Sequence, residues 1–299
     1  MITPPYLKPG DTIGIVSPAK IIKRESVENA VRLLQKRGFQ VKTGDHIFDG
    51  AQYFAGSDEN RADDFQRMLD DEEVKMILCS RGGYGSVRIL DKLDFTKFHQ
   101  NPKWVVGYSD ITVFHSHLNI LGYESLHAEM PLNFPETGQT NSAIESLLIA
   151  ATGGYLSYKI DENPLDRQGF CDSEIVGGNL SILLSLLGSP TALKTAGKVL
   201  FIEDVGEKLY HLDRMMWAMK RAGKLDNLAG LIVGALNDMT ESELKFGKTA
   251  EEIVAEAVSG FHYPVCFGFP AGHIPDNRAL ILGRKARLEV GKSVTVDFF

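Results

Sequence analysis

Short apolar runs alternate with helical segments through the first half of the chain. Apolar runs over 11–17, 39–43, 75–80 and 104–107 predict strands, and the charged stretch 58–69 between them has helical periodicity. Strands that alternate with helices form a parallel sheet with helices on both of its faces. The first half of the chain is therefore restricted to the α/β class.

The alternation loosens over 133–169, where prolines and glycines interrupt it. A chain of 299 residues is also longer than one typical core needs. We therefore predict an N-terminal parallel α/β domain over 1–140, a crossing segment over 141–170, and a second, smaller, mixed β/α C-terminal domain over 171–299. Residues 284–299 predict a terminal hairpin.

Composition excludes several classes of function. The net charge of −7 and the pI of about 5.7 argue against a broad nucleic-acid surface, which is normally basic. The N-terminus lacks a signal-peptide pattern, and no apolar stretch reaches the roughly 18 residues that cross a bilayer, so we expect no membrane contact and a cytoplasmic location. Cys79, Cys171 and Cys266 are scattered, which favours reduced, buried thiols over disulfides or a zinc site.

Ser109 follows the apolar run 104–107, and the next residues, 111–118, have helical character. A sharp strand-to-helix turn displays a hydroxyl at the carboxyl edge of a sheet, where the first helical N–H groups point towards it. The local sequence is G-Y-S-D, so the G-x-S-x-G motif of α/β-hydrolases is absent. Ser109 is a candidate nucleophile, and the alternative is a simple helix N-cap.

A glycine-rich loop follows the strand at 75–80. Gly82, Gly83 and Gly85 expose backbone N–H groups that could bind a phosphate or form half of an oxyanion hole. The loop is neither G-x-G-x-x-G nor a P-loop, and the alternative is a tight turn that needs positive φ. A second glycine pair, Gly177 and Gly178, is either a turn or a close approach of the backbone to the first domain.

His273 and Glu203 are the candidate partners of Ser109. His273 lies in a loop bounded by glycine and proline, where catalytic groups are often displayed, and Glu203 ends an apolar strand. A serine–histidine pair needs a carboxylate to orient the imidazole. The neighbouring Asp204 points to the opposite face. The alternatives are an exposed loop histidine and a carboxylate that faces water.

The other histidines do not predict a metal site. His115 and His117 are two positions apart on a helix and point to nearly opposite sides. His127 and Glu129 would share a face in an extended strand, but no third ligand lies nearby in the sequence. We therefore expect no metal and no cofactor.

Six segments in a fixed order make the chain resemble the L,D-carboxypeptidase family of serine peptidases, which includes muramoyltetrapeptide carboxypeptidase and the microcin C self-immunity peptidases. These segments are 9–18 (PGDTIGIVSP), 81–85 (RGGYG), 107–110 (GYSD), 177–180 (GGNL), 202–207 (IEDVGE) and 268–273 (GFPAGH). The resemblance implies an N-terminal parallel α/β domain, a smaller C-terminal domain and a homodimer.

The resemblance also implies site roles and a substrate. Ser109 would be the nucleophile, His273 the general base and Glu203 its orienting carboxylate. The N–H of Asp110 and one from Gly82 or Gly83 would form the oxyanion hole. The implied reaction removes the terminal D-alanine from a muropeptide tetrapeptide during peptidoglycan recycling in the cytoplasm.

Substrate-binding residues and competing functions remain open. Arg81 and Tyr84 are candidate substrate-binding residues, and Arg88 is a further cation in the same region that could meet the terminal carboxylate. One alternative is a microcin-immunity-type peptidase that cleaves an aminoacyl-nucleotide amide, with Trp217 or Tyr210 as a platform for the base. The other is a non-catalytic module whose glycine loops bind a phosphate or nucleotide.

Overall fold

Parallel strands form the centre of the first half, as the alternation of strands and helices predicts. The structure is a computed structural model and describes residues 1–50, 52–136 and 139–299. In chain order the elements of the first half are β1 (Thr12–Val16), α1 (Arg24–Lys36), β2 (Gln40–Thr43), α2 (Asp58–Asp70), β3 (Val74–Cys79), α3 (Ser86–Leu90), α4 (Thr96–Gln100), β4 (Trp104–Gly107), α5 (Thr112–Leu121), β5 (Ser125–His127) and α6 (Ser142–Ala151).

The second half contributes a second sheet. Its elements are β6 (Ser157–Asp161), β7 (Gly169–Asn179), α7 (Leu180–Ser185), β8 (Val199–Val205), α8 (Leu209–Arg221), β9 (Gly230–Asn237), α9 (Ala250–Ala257), β10 (Val265–Cys266), β11 (Leu280–Leu282), β12 (Lys285–Val290) and β13 (Ser293–Phe298). Strands β7 to β10 pair in parallel, and β12, β13 and β6 extend the sheet in antiparallel fashion in the order β10-β9-β8-β7-β12-β13-β6. The mixed character of the second sheet and the terminal hairpin are therefore as predicted.

The first sheet has the strand order β11-β5-β4-β3-β1-β2. Its five N-terminal strands are parallel, and β11 adds an antiparallel edge to β5. Strand β11 lies within 171–299, so it belongs to the predicted second half by sequence and to the first sheet by hydrogen bonding. Because β3 and β4 are neighbours, the loops that follow them lie side by side at the carboxyl edge of the sheet.

Helix α5 holds the first sheet against the second. The backbone N–H of Asn179 donates to Thr112 Oγ1 at 3.0 Å, and Ser116 Oγ donates to the carbonyl of Thr191 at 2.9 Å. A Cβ on Gly178 would lie 2.5 Å from Thr112 Oγ1, so only glycine allows this approach. The second glycine pair of the sequence is thus a point of close backbone contact between the halves.

Apolar side chains from both sheets form one continuous cluster. Trp104 and Val106 of β4 belong to the same buried cluster as Phe201 of β8 and Ile232 of β9. Every helix within the described ranges is too short or too polar to cross a membrane.

Arg284, just before β12, and Arg287, on β12, each form an ion pair with a carboxylate. The two ion pairs differ in burial, so we expect their loss to affect stability differently. Arg284 and Glu124 are 10% and 6% exposed, whereas Arg287 and Asp172 are 50% and 43% exposed. We expect Glu124→Ala to lower the free energy of unfolding by about 3 kcal/mol, because it leaves a buried guanidinium unpaired. Asp172→Ala is the matched control and should cost less than about 1 kcal/mol. Urea unfolding of both variants measures this, and equal losses would contradict it.

Candidate active site

Ser109 occupies a strained turn between β4 and α5. Its φ is +63°, a left-handed conformation that non-glycine residues adopt rarely, and strained residues of this kind cluster at active sites. A short 3₁₀ turn, Ser109–Ile111, then leads into α5. A Cβ on Gly107 would lie 2.8 Å from Ile111 Cγ1, so glycine is needed for the chain to turn this tightly. Ser109 itself is partly exposed at the carboxyl end of β4.

The glycine loop after β3 lies directly over Ser109. A Cβ on Gly82 would lie 2.8 Å from Ser109 Cβ, 3.0 Å from Ser109 Oγ and 3.2 Å from the backbone nitrogen of Asp110. Gly83 has a φ of +115° and packs against the side chain of Lys20. The loop therefore places backbone, and no side chain, beside the hydroxyl and the adjacent amide.

Buried polar side chains fix this loop from both sides. Asp110 Oδ2 accepts a hydrogen bond from the N–H of Ser86 at 2.8 Å, and Arg61, which is almost fully buried, donates to the carbonyl of Gly85 at 3.0 Å. Burial raises the pKa of Asp110, and its hydrogen bonds with Ser86 and the charge of Arg61 oppose that rise. The side chain of Asp110 thus connects its own backbone, next to Ser109, with the glycine loop.

His273 and Glu203 form a hydrogen-bonded pair in the second half of the chain. His273 Nδ1 lies 2.7 Å from Glu203 Oε2. Glu203 is fully buried near the end of β8, and the imidazole is 21% exposed. Burial acts to lower the pKa of His273, but the hydrogen bond and charge of Glu203, with the charges of Asp204 and Glu129, raise it above its ordinary value of 6.5. The pair therefore favours protonation of the imidazole.

Tyr108 brings this pair next to the Ser109 turn. The Tyr108 ring meets the His273 ring edge to face, with centroids 5.0 Å apart, and Tyr108 is the residue before Ser109. The two rings line one open cavity of about 430 Å³; the lining is Tyr108, Asn133, Asn141, His273, Ile274 and Pro275. Residues from both halves of the chain thus line one cavity, and its wall includes Tyr108, the residue before Ser109.

Asp204 points away from His273. Its carboxylate accepts hydrogen bonds from Asn179 Nδ2 at 3.0 Å and from the N–H groups of Ser181 and Val205 at 2.9 and 2.8 Å. Burial raises the pKa of Asp204 to about 6. Its direct contacts are therefore with the start of α7, on the opposite face from Glu203.

The three candidate substrate-binding residues have different surroundings. Arg81 donates to the carbonyl of Ile21 at 3.0 Å, while its buried Nε has no hydrogen-bond partner in the described part of the chain, and its charge acts on Tyr108. Tyr84 is 46% exposed and packs on Phe54. Arg88 forms an ion pair with Asp58, with Nε 3.0 Å from both carboxylate oxygens. Of these two arginines, Arg81 is the one whose charge acts on a cavity-lining residue, Tyr108.

Sequence reasoning missed a buried polar cluster behind the cavity. Asn133 Nδ2 donates to Glu129 Oε1 at 2.9 Å and to Tyr108 Oη at 3.0 Å. Burial raises the pKa of Glu129 to about 7. The sequence feature that indicates Glu129 is its position two residues after the end of β5, at the same sheet edge as Ser109. From the sequence alone, Glu129 is a candidate only as a metal ligand beside His127.

His115 and His127 are buried in the interior of the protein. His115 is buried, with Nε2 2.8 Å from the carbonyl of Gly107 and Nδ1 2.9 Å from Ser125 Oγ. His127 is fully buried, and neither ring nitrogen has a hydrogen-bond partner among the described residues. Burial lowers the pKa of both rings.

One cluster could supply metal-ligating atoms. His46, Asp63 and Asp64 bring potential ligand atoms within 4.8 Å of one another. All three already have partners: His46 Nδ1 lies 2.5 Å from Asp49 Oδ2, Asp63 Oδ2 lies 2.8 Å from Arg67, and Asp64 Oδ2 accepts from the N–H of His46 at 2.9 Å. The cluster lies beside the edge strand β2, and it has no contact with Ser109 or His273.

Comparison with known proteins is consistent with this arrangement. The model of the LD-carboxypeptidase N-terminal domain matches residues 13–128, and that of the C-terminal domain matches residues 172–288. A probable murein peptide carboxypeptidase of Bacillus subtilis is 33% identical over 98% of this chain and 93% of its own length. The chain belongs to the LD-carboxypeptidase family.

Two further relatives have names that indicate different functions. The crystal structure of a muramoyltetrapeptide carboxypeptidase from Oxalobacter formigenes matches with a TM-score of 0.88 and 26% identity, over 96% of this chain and 98% of its own. The microcin C7 self-immunity protein MccF of Escherichia coli is 25% identical over 94% of this chain and 91% of its own length. The shared two-sheet fold therefore accommodates both.

The close approach of Gly82 to Ser109 predicts that a side chain at position 82 will impair this carboxypeptidase. We expect Gly82→Ala to lower kcat by at least about 10²-fold, because the added methyl group collides with Ser109 and displaces the loop over the Asp110 amide. Gly260→Ala is the matched control, since a Cβ there would meet no atom of the described residues within 4 Å. Steady-state kinetics and thermal unfolding measure both variants. A Gly82→Ala enzyme with the kcat of the control would contradict the close approach.

Proposed function

We propose that this chain is a serine L,D-carboxypeptidase that releases the terminal D-alanine from muropeptide tetrapeptides in peptidoglycan recycling. The observation that supports it most is the 2.7 Å pair of His273 and the buried Glu203, which shares a cavity with the residue next to Ser109. The names of the Bacillus and Oxalobacter relatives support the substrate class. In this proposal the substrate is a small peptide, and no nucleic acid or membrane takes part.

The proposed first step is attack by Ser109 on the scissile carbonyl. Because His273 Nδ1 bonds to Glu203, Nδ1 carries the proton and Nε2 is left as the acceptor. Ser109 Oγ forms a bond to the carbonyl carbon and its proton passes to Nε2. When the C–N bond breaks, the same proton passes to the nitrogen of the departing D-alanine.

The proposed second step releases the peptide. A water molecule attacks the ester that joins the peptide to Ser109, and His273 accepts a proton from this water. The C–O bond of the ester breaks, and Ser109 Oγ recovers a proton from the imidazolium. Glu203 stays ionised throughout and stabilises the positive charge on the ring.

The negative oxygen formed in both steps needs hydrogen-bond donors. We propose the N–H of Asp110 and one N–H from Gly82 or Gly83, since the Gly82 backbone lies over both Ser109 Oγ and the Asp110 amide. Each donor contributes roughly 3 kcal/mol to the stability of the transition state. The hydrogen bond from Ser86 to Asp110 keeps the two donor segments at a fixed separation.

Arg81 is the proposed binding group for the terminal carboxylate of the substrate. Its Nε has no partner among the described residues, and its charge reaches Tyr108 at the cavity wall. Tyr84 is a proposed secondary contact on the outer side of the loop. The two family models, which match 13–128 and 172–288, support a division into domains 1–140 and 171–299, with β11 as an exchange of one strand into the first sheet. The family resemblance supports a cytoplasmic homodimer.

A nucleotide substrate of the microcin-immunity kind has less support. Such a substrate needs a stacking platform, and of the described residues that line the cavity Tyr108 alone carries a benzene ring, which is turned towards His273. Tyr210 and Trp217 lie on α8, where the cations of Arg214 and Lys220 cover their rings. We therefore prefer the muropeptide.

Ser109→Ala tests the nucleophile. Purified protein should release D-alanine from a muropeptide tetrapeptide, and Ser109→Ala should lower kcat by at least about 10³-fold while the tetrapeptide still binds. Release measured by a coupled D-alanine assay and binding measured by calorimetry check this. A serine-directed phosphonate that labels another residue would reject the assignment. Cleavage of an aminoacyl-nucleotide without release of D-alanine would favour the microcin-type alternative.

The pH dependence tests the base. His273 must be neutral to accept a proton, and its pKa lies above 6.5, so kcat/KM should fall on acidification with an apparent pKa above about 6.5. Glu203→Gln removes the charge that raises this pKa, so the acid limb should move to lower pH. Profiles of both enzymes between about pH 5 and 9 measure it. A wild-type profile that is flat down to about pH 5 would exclude His273 as the base.

A further inference from the structure

Glu129 is a buried carboxyl that the proposed mechanism does not use. Its side chain is almost fully buried, and Oε1 accepts hydrogen bonds from the N–H of Met130 at 3.0 Å and from Asn133 Nδ2 at 2.9 Å. In the described part of the chain no lysine or arginine forms an ion pair with it. A buried carboxyl without a permanent cationic partner is costly, and such groups concentrate at functional sites.

Two side chains connect Glu129 with His273. Asn133 Nδ2, which donates to Glu129, also donates to Tyr108 Oη at 3.0 Å. The Tyr108 ring in turn packs its edge against His273. Because Tyr108, Asn133 and His273 line the same cavity, Glu129 lies behind one wall of it. The carboxyl therefore supports the wall that the imidazole touches.

His273 is the titratable cation that Glu129 faces. Burial raises the pKa of Glu129, its two hydrogen bonds lower it, and the charge of His273 lowers it further. In the opposite direction, Glu203, Asp204 and Glu129 all raise the pKa of His273. His127 also faces His273, but burial keeps that ring neutral. Tyr108 stays protonated, because burial raises its pKa.

We propose that Glu129 is a positioning residue that stabilises the imidazolium form of His273 and, through Asn133, holds Tyr108 against that ring. The role rests on the proposed function. When the proton of Ser109 Oγ moves to His273 Nε2 and the Oγ–carbon bond forms, the ring gains a positive charge. The carboxylate of Glu203 contacts this ring directly, and that of Glu129 acts on it across the cavity wall.

The test compares Glu129→Gln with Glu129→Asp. Glu129→Gln keeps the size and one acceptor oxygen but removes the charge, so the pKa of His273 measured by NMR in the free enzyme should fall below the wild-type value. Glu129→Gln should lower kcat about tenfold and change KM by no more than about twofold from the wild-type value. The acid limb of the kcat/KM profile should move to lower pH, and it should no longer contain the titration of the Glu129 carboxyl. Glu129→Asp keeps the charge and should restore the wild-type pKa and most of kcat.

Asp64→Asn is the matched control. Asp64 is also a buried carboxyl whose pKa is raised by burial, but it lies on α2 and accepts from the backbone of His46. It should leave the His273 titration and kcat unchanged. A His273 pKa that is the same in Glu129→Gln and wild type would overturn the proposal. Equal losses of kcat in the Gln and Asp variants would also overturn it, because they would indicate packing alone.

One measurement depends on neither the substrate nor the variants. The ¹³C carboxyl resonance of Glu129 in the wild-type enzyme should titrate in two steps, one of which coincides with the titration of His273. A single independent step would contradict the proposal even if Glu129→Gln failed to fold. If the wild type released no D-alanine, the proposed function would fail, while the His273 titration would still decide the role of Glu129.

Discussion

The buried carboxyl of Glu203 is the group on which the geometry of the site depends. A fully buried charge requires a partner, and His273 Nδ1 supplies it at 2.7 Å. The loop that carries His273 is shaped for this contact. A Cβ on Gly272 would lie 2.8 Å from Glu203 Oε2, and Asn277 Oδ1 accepts from the N–H of Gly272 at 2.8 Å. Asn237 Nδ2 donates to the carbonyl of His273 at 2.8 Å, so the loop is tied to β9 as well.

The proposed nucleophile and its acid–base partners come from different halves of the chain, so the contact between the halves must be rigid. Helix α5, which begins three residues after Ser109, provides it through Thr112, which accepts from the N–H of Asn179. On the other side of the turn, His115 contacts the carbonyl of Gly107. The strained backbone of Ser109 is therefore held between a buried side chain and the second sheet, which is the condition under which such strain persists.

Local patterns in the sequence predicted the strand–helix order, the mixed second sheet and the terminal hairpin, because each depends on residues close together in the chain. The same patterns placed Ser109, the glycine loop, Glu203 and the His273 loop at the ends of strands. Strand β11 could not be assigned to the first sheet this way, since its pairing with β5 joins Ile281 to Leu126, far apart in sequence. That Ser109, Glu203 and His273 act together came from the family resemblance, and their roles remain a proposal.

Glu129 was missed for a related reason. A carboxyl at the end of a strand can face water, a metal or another side chain, and the local sequence does not distinguish these outcomes. The structure distinguishes them through Asn133, whose one amide group bonds to both Glu129 and Tyr108. The carboxyls of Glu203, Asp204 and Glu129 all raise the pKa of the His273 imidazole. Glu203 binds the ring and Asp204 is held by the start of α7, whereas Glu129 forms no ion pair with a lysine or arginine of the described residues. Burial raises the pKa of Glu129 to about 7 and the charge of His273 lowers it, so the two groups form a coupled pair in which protonation of one affects the other.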